Sequence, residues 1–168
     1  MDQNSTFAGA LLAAALASVA GAAPKSPPLT AEGWGPVRIG MREADAARRF
    51  GMVSTEVDGD CHHIEFPGRT DLTGIARKGR LASLLVGGAS RLRTDRGLGI
   101  GSSEREVRRA YGPGLKVEPN AYEDAPAHYL IFWAQPNVRG VMFETNTKGA
   151  VTAIHAGDET IGWTDGCG

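Results

Sequence analysis

Val37-Arg38-Ile39-Gly40-Met41-Arg42-Glu43-Ala44-Asp45-Ala46-Ala47-Arg48-Arg49-Phe50-Gly51 returns 61 residues later as Leu98-Gly99-Ile100-Gly101-Ser102-Ser103-Glu104-Arg105-Glu106-Val107-Arg108-Arg109-Ala110-Tyr111-Gly112. Ile, Gly, Glu, Arg and the closing aromatic-Gly recur in register. Downstream, His62-His63-Ile64-Glu65-Phe66 is echoed by His128-Tyr129-Leu130-Ile131-Phe132, and Lys78-Gly79 by Lys148-Gly149. Thr94-Asp95 is echoed by Thr164-Asp165. An echo of this length predicts one supersecondary unit used twice, each copy leaning on the other to bury its apolar face. The units span 36–95 and 96–168 and together make one compact domain.

Each copy predicts the same elements. A short apolar piece ends at Gly40 or Gly101, and a helix follows over about 42–50 or 103–111. Ser102 or Ser103 followed by Glu106 offers cap chemistry to the second helix, and the first has no such residue. Gly51 and Gly112 stop the helices, and Pro113 confirms the second stop. Ala44, Ala47 and Phe50 form one inward stripe; Val107, Ala110 and Tyr111 form the other. Alternation then predicts strands at 61–66, 73–77, 81–87 and 91–94 in the first copy. The second copy offers 127–134, 139–145, 150–156 and 160–164. Lys78-Gly79 and Lys148-Gly149 fall at hairpin turns. The expected fold class is α+β, a tandem repeat of helix plus antiparallel β-meander.

Residues 1–22 read as a signal peptide. Phe7 to Ala23 is uncharged and rich in Ala and Leu, and Ala20-Gly21-Ala22 fits a small-x-small cleavage site. Its leader, Met1-Asp2-Gln3-Asn4, lacks the usual basic residue. Residues 23–35 form an extended, Pro-rich lead-in. Removing Asp2 from 19 acids leaves 18, against 18 bases. That balance excludes a polyanion partner such as nucleic acid, which demands clustered positive charge. No later stretch is apolar enough to span a bilayer. The expected product is periplasmic or secreted.

Cys61 and Cys167 are the two cysteines of this exported chain, and an oxidising compartment favours a disulfide between them. It would close a loop of roughly 100 residues, worth about 4–5 kcal/mol in the chain-entropy model. The alternatives are a pair of free thiols, or Cys61 as a metal ligand.

Gly-Met/Ser followed by an acidic helix ending in aromatic-Gly, then an antiparallel meander, resembles the tandem unit of the secreted beta-lactamase inhibitor proteins. It is also similar to the single unit of small outer-membrane assembly lipoproteins. The likeness covers most of 36–165. The chain departs from the first in having one clear helix per unit and from the second in lacking a lipidated Cys. The resemblance implies a non-catalytic, protein-binding surface on a sheet. The phrase Thr94-Asp95-Arg96-Gly97-Leu98-Gly99-Ile100-Gly101 also resembles exported bacterial proteins, some of them described as lectins.

Chemistry concentrates on one strand. His62, Ile64 and Phe66 share a face in the first copy, with His63 and Glu65 opposite. In the second, His128, Leu130 and Phe132 share the core face, and the opposite face becomes Tyr129, Ile131 and Trp133. A strand apolar on both faces is buried twice or presents a sticky stripe. As a stripe it offers Tyr129, Ile131 and Trp133 as anchors, extended by Trp34, Tyr122 and Trp163. As a buried face it packs on another sheet or under the 113–126 segment.

Asp60, Cys61, His62, His63 and Glu65 are metal-capable types, but neighbours on a strand point to opposite faces, so His62 and His63 do not share an ion. His62 and His128 read as matched, hydrogen-bonded, half-buried positions, and His155 as structural. Gly97 to Ser102 turns into a helix without a phosphate-loop Lys. No nucleophile elbow surrounds Ser102, Ser103 or Thr164. The sequence therefore predicts a non-enzymatic, monomeric binding module with no catalytic residues, metal or cofactor. Its expected partner is a protein, in the manner of an inhibitor, immunity or envelope factor; the alternative is a glycan, bound as a lectin binds it.

Overall fold

Three two-residue strands, β1 (Leu29–Thr30), β2 (Gly33–Trp34) and β3 (Val37–Arg38), open the chain in the computed structural model, which describes residues 26–163, 166 and 167. They pair as a small antiparallel sheet. Then come α1 (Glu43–Phe50), β4 (Val53–Asp58), β5 (Cys61–Phe66), β6 (Arg69–Arg77) and β7 (Arg80–Val86). After an irregular stretch follow α2 (Glu104–Tyr111), β8 (Leu115–Pro119), β9 (His128–Gln135), β10 (Arg139–Thr145) and β11 (Val151–Gly157). A 3-10 turn, Glu159–Gly162, leads into the tail. The expected signal peptide lies outside the described residues, as do Thr164 and Asp165.

The eight longer strands form one sheet in the order β4-β5-β6-β7-β11-β10-β9-β8, with every neighbouring pair antiparallel. Strand alternation sends Ile64, Leu84, Leu130, Phe143 and Ile154 to one face, where they are at most 1% exposed. Both helices lie on that face: Ala46, Val107 and Tyr111 belong to the same apolar cluster. Tyr111 meets Phe132 and Phe143 with ring centroids 4.9 and 5.4 Å apart, the tilted geometry that aromatic pairs favour.

The expected fold class is corrected by this architecture. The chain is mostly antiparallel β, one large sheet with a small one, and not a tandem helix-plus-meander repeat. Each α-helix has only eight residues. The physical reason is the β7–β11 pairing, Ile154 with Val86 through Gly157 with Ser83. It runs the backbone ladder across the middle of the chain, so a single core serves the whole molecule. The sheet β1-β2-β3 has no counterpart later among the described residues. Two expected strands are also absent: 91–94 makes only isolated bridges, and 160–164 begins as the 3-10 turn. Conversely, β4 and β8 form from segments, Val-Ser-Thr-Glu-Val-Asp and Leu-Lys-Val-Glu-Pro, too polar to read as strands.

The helix ends follow their sequence signals. Ser103 accepts from the Glu106 amide at 3.3 Å and donates its own amide to the Glu106 carboxylate at 2.7 Å, a closed capping box. Arg42 holds the cap position of α1 with no side-chain capping bond. Gly51 ends α1 at φ 67°, in the left-handed region that a side chain would disfavour.

The disulfide forms. Cys61 and Cys167 are bonded, with Cα atoms 5.6 Å apart, closing 106 residues of chain. It fixes the tail to β5. No helix among the described residues is long and apolar enough to cross a membrane.

Candidate functional site

The face of the large sheet away from the helices divides into a closed and an open part. Tyr129, Ile131 and Met142 lie on the closed part, at 6%, 6% and 1% exposure, under Ile161 of the 3-10 turn. Gly140 makes this closure work. A Cβ there would stand 2.7 Å from the Trp133 ring and 2.9 Å from the Ile161 methyl. The turn is held down by Asp158, whose amide donates to Ala82 O at 3.0 Å and whose carboxylate accepts from the Thr160 amide at 3.0 Å. From the other side, the Tyr129 hydroxyl accepts from the Ala121 amide at 3.3 Å, so the 120–127 segment flanks that ring.

The six residues read as binding anchors are therefore not brought together. Tyr129 and Ile131 belong to a buried satellite cluster, with Trp133 half-buried against it. Trp34 packs on the main core on the helix side, beneath the Arg69 guanidinium at 5.0 Å. Tyr122 is 65% exposed on its loop. Trp163 stands on the tail, with the Arg77 guanidinium 4.3 Å from its ring centroid.

The open part is a cleft of about 320 Å³ between the tail and strands β5, β6, β7 and β11. Trp163 and Gly166 form its tail side; a Cβ on Gly166 would come within 3.4 Å of His63 Nε2. His63, Glu65, Thr73 and His155 supply polar groups, and Ile75 and Leu85 an apolar floor. The cross-strand register explains the grouping: His63 pairs with Ile75, Glu65 with Thr73, and Leu85 with His155. His155 Nε2 lies 2.6 Å from the Glu144 carboxylate, which orients the ring. The strand alternation that placed His63 and Glu65 opposite the core was legible, and the expected Cys61–Cys167 bond brings the tail to this strand.

Two further glutamate–histidine contacts sit on the helix side. The first residue of each helix reaches a strand histidine: His62 Nδ1 is 2.9 Å from Glu43, and His128 Nδ1 is 3.0 Å from Glu104. The reading of His62 and His128 as hydrogen-bonded positions fits this geometry. Ser54 also donates to Glu43. Burial pushes the Glu43 carboxyl up, but the Ser54 and His62 bonds and the His62 charge outweigh it and leave it below its usual value. Burial is likewise outweighed at Glu104 by His128 and Arg108. No group of three or more metal-capable side chains comes together among the described residues.

Comparison of the chain with protein-family models, curated proteins and solved structures finds no match.

Proposed function

We propose that this chain is an exported, non-catalytic binding module whose ligand is a saccharide held in the cleft between the sheet and the tail. One observation carries the reading: a concave site of about 320 Å³ combines an indole with polar groups converging from adjacent strands. Its volume lies in the ligand-pocket range of about 300–1,000 Å³. A sugar ring presents an apolar face to Trp163 and hydroxyls to Glu65, His63 and Thr73. The disulfide supports export, since such bonds persist in oxidising compartments such as the periplasm or the exterior.

The stripe of Tyr129 and Ile131 gives a protein partner little purchase, because Ile161 already covers it. His155, which lines the cleft, is held by the Glu144 carboxylate at 2.6 Å, an arrangement that supports a fixed polar wall.

A glycan array probed with the wild-type protein and with Trp163→Ala tests the reading. The wild type should retain a defined saccharide set, and the variant should lose it with its unfolding temperature unchanged. Equal retention by Trp163→Ala, or an array blank for the wild type, would overturn it.

A further inference from the structure

α1 begins Glu43 and has Ala47 as its fifth residue; α2 begins Glu104 and has Arg108. Arg108 folds back, and its Nε and Nη2 donate to Glu104 Oε1 at 2.8 and 2.5 Å. Beside α1 no such side chain fills the corresponding space. A hollow of about 510 Å³ opens there, between the helix, β4–β5 and the β6–β7 turn. Its floor is Ala44, Ala47, Met52 and Ile64, and its rim carries Arg42, Lys78 and Arg80.

The rim cations are arranged at a cost. Arg42 and Arg80 face each other directly across an isolated antiparallel bridge, where like charges destabilise. Among the described residues none of the three makes an ion pair. Arg42 further occupies a helix N-cap without a capping bond, a place where Ser, Thr, Asp or Asn is favoured. Arg80 is partly engaged, its Nη1 donating to Gly40 O at 2.8 Å, whereas the Arg42 and Lys78 side chains make no hydrogen bond or ion pair among the described residues; residues that break local rules without internal compensation mark sites kept for something else. The acid in the hollow, Glu43, accepts from Ser54 and His62 and makes no ion pair with the three rim cations among the described residues.

We propose that this hollow is a second ligand site, specific for a small amphipathic carboxylate. The anionic head sits among Arg42, Lys78 and Arg80, where guanidinium groups match carboxylate geometry. The hydrocarbon part lies on Ala44, Ala47, Met52 and Ile64. This site is on the helix side of the sheet and does not depend on the saccharide cleft.

Calorimetric titration of the purified protein with octanoate, octanol and octylammonium tests the assignment. Octanoate is expected to bind at one equivalent, at least about tenfold more tightly than either probe, and to weaken as salt is added. Ala47→Arg supplies the residue that α2 carries, to pair with Glu43 and fill the hollow. It should abolish octanoate binding with the unfolding temperature unchanged or raised. Arg42→Ser, which gives α1 the cap residue of α2, should weaken octanoate and stabilise the fold, and it decides the matter if Ala47→Arg misfolds. Octanol or octylammonium binding as tightly as octanoate would overturn the proposal. So would undiminished binding by a folded Ala47→Arg, or by Arg42→Ser.

Discussion

At the start of α2, Arg108 lies on Glu104 and Ser103 closes a capping box; at the start of α1, Ala47 leaves the space vacant and Arg42 caps nothing. One backbone contact recurs in both regions. The Glu43 amide donates to Gly79 O at 2.9 Å and the Glu104 amide to Gly149 O at 2.8 Å. Both glutamates meet a strand histidine. The difference lies in what completes the site. Near α2 the chain satisfies its own charges. Near α1 Arg42 holds a cap position without a capping bond, opposite Arg80, whose guanidinium donates to Gly40 O at 2.8 Å.

The largest test of this contrast is the disulfide. Reduction, or Cys61→Ala with Cys167→Ala, should cost about 4–5 kcal/mol in urea unfolding by the chain-entropy model. Hydrogen exchange should then quicken first in β4–β5, to which the tail is tied, and last in β8–β9. Equal acceleration at both edges would erase the proposed asymmetry.

Ile161→Ala comes next. Ile161 is wholly buried over Met142 and Ile131. Its truncation should cost about 2–5 kcal/mol and expose the Tyr129 face to hydrophobic dyes. A cost near zero would mean that the turn does not cover the stripe in solution.

The caps give a smaller and more direct comparison. Ser103→Ala should lose about 1 kcal/mol, whereas Arg42→Ala should lose almost nothing, because only the former makes a capping bond. Equal losses would show that α1 is capped in a way the structure lacks.

Acid sensitivity is the smallest signal. Glu43 and Glu104 are held below their usual values, and the Arg69 hydrogen bond, with one from Ser90, holds Asp71 at about 2. A carboxyl lowered on folding stabilises above its unfolded pKa of about 4, and that contribution is lost as pH falls through the folded value. Stability should therefore decline below about pH 4. Asp71→Asn should flatten that decline down to pH near 2, and Glu104→Gln should also reduce it. An unaltered slope in both variants would remove these groups from the account.

Much of the local structure was legible. The helix stops at Gly51 and Gly112, the capping pair Ser103–Glu106 and the two Lys-Gly turns follow from short-range chemistry, and the Cys61–Cys167 pair from there being two cysteines in a chain read as exported. The fold class did not follow, because the echo between Val37–Gly51 and Leu98–Gly112 says nothing about how the segments join. The joint is made by β7 against β11, a contact between residues some 70 positions apart. Strands β4 and β8 were missed because edge strands expose one face and an open backbone, leaving few apolar positions to count. The stripe at Tyr129 was correctly seen as apolar on both faces. Its cover, Ile161, sits in a single 3-10 turn without periodicity. Glu43 and Glu104 stood in the echo, yet their contacts with His62 and His128 depend on where the helix N-termini lie over the sheet.

The most direct test follows the ring-proton resonances of His62 and His128 while octanoate is added. The hollow beside Glu43 should shift His62, whose partners Glu43 and Ser54 line it, and leave unmoved His128, whose partner Glu104 is held by Arg108. Equal movement of the two rings, or movement of neither at saturating octanoate, would contradict the claim that one region is left open and the other is complete.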